Sequence, residues 1–159
     1  MNGWNHFLAA FVVLFILYAS SHSIYEIIVF SLIFGVLIDF DQIIGKLMKK
    51  PIHHRRTWLE EPFGLAFVGI PIGVVLSLFK PDYFFMITIP FLLHIVLDYL
   101  TIHEVAPLAP ISNKTIKIGF FKSFPKPRWY KKHERGISEV YFTFFISTAS
   151  LYQLLVYYL

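Results

Sequence analysis

Cysteine is absent from the chain. That excludes a disulfide framework and a thiolate metal site, and it removes any clue to redox compartment. Charge is scarce as well. Asp, Glu, Lys and Arg make up 15% of the 159 residues, too few for the surface of an ordinary soluble domain. The first residues lack the basic region and small-residue cleavage site of a signal peptide. The first apolar segment is therefore expected to stay in the mature protein. No internal repeat or low-complexity tract is evident, and the length is one domain's worth.

What is present is apolar. Hydrophobic residues reach 57%, with 18 Phe and 9 Tyr, which is the composition of an integral membrane protein. Five apolar segments stand out, at Phe7–Ala19, Ile24–Ile38, Phe63–Phe79, Tyr83–Tyr99 and Ile137–Leu159. They predict an all-α fold, a polytopic membrane protein with about five transmembrane helices. Several are shorter than the ~20 residues that span a bilayer, so they need flanking residues, local thinning or shielding by neighbours. Gly64, Gly69, Pro71 and Gly73 should loosen the third segment, and Pro90 should kink the fourth a turn before His94. Gln153 in the fifth reads as interhelical glue.

Loop charges set the orientation. The net charge of +4 means topology first, and only secondarily anionic lipid or nucleic acid; no nucleic-acid partner is expected. Met1–His6 and the second and fourth loops would share one side. Those loops hold 13 of the 14 basic residues, against Lys80 alone on the other side. The positive-inside rule puts the N-terminus in the cytoplasm and the C-terminus outside. The chain then reads as a single multi-pass domain of the cell membrane, residues 1–159, with cytoplasmic loops near 40–62 and 100–136. Most candidate ligands fall at the cytoplasmic segment ends, and His22 is the one histidine outside.

The stretch from Phe91 to Thr101 carries the strongest chemical signal. At helical spacing His94, Asp98 and Thr101 lie on one face. A mid-membrane Asp costs about 2.5–3.5 kcal/mol on insertion scales unless something compensates it. A metal ion compensates both groups, taking neutral imidazole and ionised carboxylate together. The alternative is a His–Asp hydrogen bond that only ties two helices. Asp39-Phe40-Asp41 is either a solvated helix end or a pair of acids opposing the macrodipole and wanting a cation. In His53-His54-Arg55-Arg56-Thr57 the imidazoles suit a metal and the guanidinium groups suit phosphate oxygens. The same loop, with Lys49 and Lys50, also suits anionic lipid heads.

Other groups are weaker. His103-Glu104 could add a ligand or a base, although an exposed loop histidine is the plainer reading. His133-Glu134 sits among Lys131, Lys132 and Arg135 and reads as solvated. Glu26 and Glu139 fall in first turns, where carboxylates suit the helix dipole, and both read as structural. Pro107, Pro110, Pro125 and Pro127 argue against helix in the fourth loop, which could form a substrate-facing flap.

Taken in order, these motifs resemble the YdjM-type family of membrane-bound metal-dependent hydrolases. That pattern runs from an early His through Asp-x-Asp and His-Arg to His-x-x-x-Asp followed by Leu-Thr. The chain has His6, Asp39-Phe40-Asp41, His54-Arg55-Arg56-Thr57, and His94 to Asp98 with Leu100-Thr101. A Pro-rich stretch, Pro107 to Pro110, follows as in the family. The resemblance covers about the first 110 residues, and the order of the motifs carries it more than any one of them. One departure stands out, because the family's second His, in a Thr-His-Ser element, is missing. Here Thr57 is followed by Trp58, Leu59, Glu60 and Glu61, so a carboxylate has replaced that ligand or the site has lost it.

The resemblance implies a metal-dependent hydrolase at the cytoplasmic face. His6, Asp39, Asp41, His54, His94 and Asp98 would hold one or two divalent ions, zinc or manganese. A bound water with its pKa lowered to ~7 would be the nucleophile. Arg55 and Arg56 would hold a phosphate and stabilise transition-state charge. Glu60 or Glu61 would serve as base or replacement ligand. The ligand order is also similar to that of zinc-dependent phospholipase C and related single-strand nucleases, which by analogy favours a phosphoester. A site at the membrane surface suggests a lipid-linked or amphiphilic substrate. Phosphatidic-acid-type phosphatases share His-x-x-x-Asp, but they place Ser-Arg upstream where this chain has Ile87-Thr88-Ile89-Pro90. The non-enzymatic alternative is a small membrane scaffold or ion-handling protein with a structural His/Asp cluster.

Overall fold

The computed structural model describes residues 3–36, 38, 58–100, 105, 107–112, 114, 116, 121–122 and 137–158. These are all-helical apart from a two-residue parallel pairing, β1 (Phe121–Lys122) with β2 (Ile137–Ser138), and one isolated bridge, Val105 to Ile116. Five helices carry the architecture: α1 (Gly3–Tyr18), α2 (Ile24–Gly35), α3 (Ile70–Ser77), α4 (Tyr83–Tyr99) and α5 (Glu139–Tyr158). A 3-10 turn (Trp58–Glu60), a helical turn (Pro62–Gly64) and a π turn (Leu65–Gly69) lead into α3. The five apolar segments of the sequence therefore correspond to helical stretches.

Each boundary has a local cause. Ser23 and Glu26 form a capping box at the start of α2: the Glu26 N–H donates to Ser23 Oγ, and the Ser23 N–H donates to Glu26 Oε2. Pro71 lies just past the π turn, and because helical backbone runs unbroken from Pro62 to Ser77 its missing N–H falls within a continuous helical stretch. Pro90 lies inside α4, yet the helix runs on through it to Tyr99. Gly69 does more than loosen its segment. A Cβ there would come within 2.9 Å of the Phe91 ring, so only glycine lets the π turn lie flat on α4.

Contacts fix the helix directions. His6 near the start of α1 meets Asp98 at the end of α4, while Phe11, Leu14 and Phe15 pack with Ile27 and Met86 near the starts of α2 and α4. Hence α2 and α4 run antiparallel to α1. Asn5 pairs with Thr143 and Phe15 with Tyr157, so α5 runs parallel to α1. Gly69 against Phe91 and Gly73 against Phe84 make α3 antiparallel to α4. The chain thus alternates direction from helix to helix and gives the bundle two distinct ends.

Large apolar side chains face outward, among them Leu78 at 82%, Phe79 at 78% and Phe144 at 74% exposure. Polar side chains face inward, including Asn5, His6, Ser31, His94 and Asp98. Among the described residues, no helix is long and apolar enough to cross a membrane. The 16 residues of α1 make about 24 Å and the 12 of α2 about 18 Å, short of a hydrocarbon core of about 30 Å. The 20-residue α5 is longer but carries Thr143, Ser147, Thr148, Ser150 and Gln153 along its length.

Candidate metal centre

Small residues bring three helices together at one end of the bundle. The buried face of α2 is Ile27, Ser31 and Gly35, four residues apart, a small-xxx-small arrangement suited to close approach. At Gly35 an added Cβ would sit 3.2 Å from both the Ala10 Cβ and the His6 carbonyl oxygen. Gly35 is the last residue of α2, so its carbonyl is among those that a helix leaves to other partners. That carbonyl accepts a hydrogen bond from His94 Nδ1 at 2.9 Å.

This bond decides the tautomer. A carbonyl can only accept, so His94 carries its proton on Nδ1 and, when neutral, presents a lone pair at Nε2. Metal-ligating histidines are commonly oriented in this way. Helical spacing puts Asp98 one turn on, with Oδ2 3.7 Å from His94 Nε2. The other carboxylate oxygen, Oδ1, lies 3.2 Å from His6 Nε2. That distance is within reach of a hydrogen bond, but neither ring nitrogen of His6 is aligned with a partner among the described residues. The two imidazoles stack with centroids 4.1 Å apart and planes 21° apart.

His6, His94 and Asp98 are all buried, and a ligand atom from each lies within 4.8 Å of the others. Ligands about 2.0–2.2 Å from a tetrahedral ion stand about 3.4 Å apart, close to the 3.2 and 3.7 Å measured here. Two neutral imidazoles and a carboxylate also match the donor sets of catalytic zinc sites that keep a fourth position open. These donors could hold a divalent ion once the stacked rings turn to bring both imidazole lone pairs onto it.

The other residues expected at the site fall in two classes. Asp39, Asp41, His54, Arg55 and Arg56 lie outside the described residues, as do His53, Thr101, His103 and Glu104. Glu60 is described and buried, but it is not one of the three clustered residues. Its neighbour Glu61 accepts a 2.7 Å hydrogen bond from Tyr99 Oη, which ties the 3-10 turn to the residue after Asp98.

Two contributors were not read from the sequence. One is the Gly35 carbonyl, a backbone group that leaves no side-chain signature beyond the spacing of Ser31 and Gly35. The other is the pair of buried Asn5 and half-buried Thr143, in which the hydroxyl donates to Asn5 Oδ1 at 2.6 Å and holds α5 beside His6.

The family model of YdjM inner membrane proteins matches residues 1–158, and the chain belongs to that family. The match extends past the Pro-rich stretch at which the sequence resemblance ended. No curated protein and no solved structure matches the chain.

Proposed function

We propose that this member of the YdjM inner membrane protein family is a multi-pass, metal-dependent hydrolase. Its substrate would be a phosphoester of a lipid-linked or amphiphilic molecule at the cytoplasmic face. The observation that carries the metal reading is the convergence of His6, His94 and Asp98, with the His94 tautomer set by Gly35. A bound zinc or manganese ion would supply Lewis acidity and an activated water. The chain's own residues do the rest. The burial of the three ligands limits water around them and strengthens every charge interaction. Arg55 and Arg56 follow the candidate ligand His54 directly and offer forked donors to phosphate oxygens. Glu60 supplies a buried carboxylate as base. Asp39, Asp41 and His54 would complete the ligand set for one or two ions.

The multi-pass reading rests on family membership, the apolar exterior and the one-sided distribution of basic residues. The short helices then call for local thinning of the bilayer. A reporter fused after Leu159 should report the outside, and one inserted between Lys114 and Arg135 the cytoplasm. Both on one side would remove α5 as a span.

Replacing Arg55 and Arg56 by Gln tests the hydrolase reading. Turnover of a phosphoester probe should fall by at least about 100-fold while bound metal stays near the wild-type level. Loss of metal with unchanged turnover per ion would show that the pair organises the centre and does not read substrate. The non-enzymatic scaffold is favoured by one observation, the 3.2 Å approach of His6 to Asp98, which can tie α1 to α4 without an ion. It predicts metal-free protein and no turnover.

A further inference from the structure

We propose that His22, at the end of the bundle opposite the metal centre, is a proton-sensitive clasp between the α1–α2 and α3–α4 turns. Its ring is nearly enclosed, with a side-chain exposure of 1%, and each ring nitrogen faces a carboxylate. Nε2 lies 3.2 Å from Asp82 Oδ2 in the α3–α4 turn, and Nδ1 lies 3.6 Å from Glu26 Oε2 in the first turn of α2. A neutral imidazole has one N–H and can serve one of these acceptors; the imidazolium donates from both nitrogens. Protonation therefore turns a one-sided contact into a charge-assisted bridge across two turns that are far apart in sequence.

The surroundings favour such a bridge. From α1 the Tyr18 ring meets His22 edge-on, and from α4 the Tyr83 ring lies 5.9 Å away. Lys80 is drawn off to Glu26 Oε1 at 3.2 Å, and Tyr83 Oη donates to the same oxygen at 2.7 Å. Glu26 Oε2 accepts from the Ser23 N–H at 2.9 Å and stands 3.6 Å from His22 Nδ1, a buried nitrogen with no hydrogen-bond partner among the described residues. Tyr25 on α2 is exposed, and the Tyr157 ring of α5 meets Phe15 edge-on. A proton taken up by His22 adds charge to both contacts. The clasp is firm while the ring carries both protons and loosens when it carries one. In the proposed topology the pH it meets is the one outside the cytoplasm, although the clasp itself depends on neither the topology nor the metal.

Amide hydrogen exchange on the full chain in detergent tests this, with rates corrected for the intrinsic effect of pH. Protection of residues 19–23 and 78–82 should fall about tenfold between about pH 5.5 and about pH 8, with or without chelator. His22→Gln should abolish the step. Asp82→Asn should shrink it, and because Asp82 is half exposed this variant keeps the fold if His22→Gln does not. A flat wild-type profile would overturn the clasp, and so would an undiminished step in Asp82→Asn.

Discussion

At the end of the bundle that holds His22, helices α1 and α2 are joined by residues 19–23, and α3 and α4 by residues 78–82. Its polar groups answer one another at close range: Glu26 takes Ser23, Lys80 and Tyr83, and His22 takes Asp82. At the other end the connections are residues 36–57 and 100–138, and the polar groups sit deep between helices. There His6 keeps two ring nitrogens without an aligned partner among the described residues, and one carboxylate stands between two imidazoles. Both ends combine histidine with carboxylate, yet only one gathers three ligand atoms within 4.8 Å among the described residues. A cluster whose members pair across two turns ties those turns together. One that is buried, with its tautomer fixed and three ligand atoms within 4.8 Å of one another, could hold an ion.

Substitutions at the two ends should therefore differ in kind. The larger effect is expected at Gly35→Val. Its Cβ would meet Ala10 and the His6 carbonyl at 3.2 Å, and the remaining methyl groups have no space. Forcing α1 and α2 apart should cost about 1–3 kcal/mol, seen as a lower unfolding midpoint. Because the same shift moves Gly35 away from His94, metal affinity should fall with it. Normal affinity at reduced stability would separate the helix seam from the centre. A smaller effect is expected for Tyr83→Phe at the other end, which removes the hydroxyl donated to Glu26. The pair is part-exposed, so the loss should be about 1 kcal/mol in denaturant unfolding, with metal content unchanged. A drop in bound metal would couple the two ends and erase the distinction.

How far this was legible in the sequence depends on the kind of signal. Apolar run length located all five helices, because each run is bounded by turn residues or charges such as Ser20 to Ser23 and Lys80-Pro81-Asp82. The i,i+4 pair His94 and Asp98 was legible because helical periodicity places side chains directly. The approach of His6, almost ninety residues away, followed only from the alternation of helix directions and the order of motifs. The structural meaning of Gly69 was not legible. Composition suggests a loose segment, whereas the packing shows a close seat for Phe91. Nor was the cluster at His22, since its partner Glu26 reads as a first-turn acid and nothing in the sequence singles out Asp82.

Metal content after purification without chelator tests the central claim most directly, measured on the wild type, Asp98→Asn and His94→Ala. Asp98→Asn keeps size and hydrogen-bonding ability but removes the charge that a divalent ion needs. The wild type should carry at least one equivalent of zinc or manganese, and both variants should lose nearly all of it while remaining folded in detergent. A folded wild type with no stoichiometric metal, matched by Asp98→Asn, would contradict the account and leave His6, His94 and Asp98 as a tie between helices.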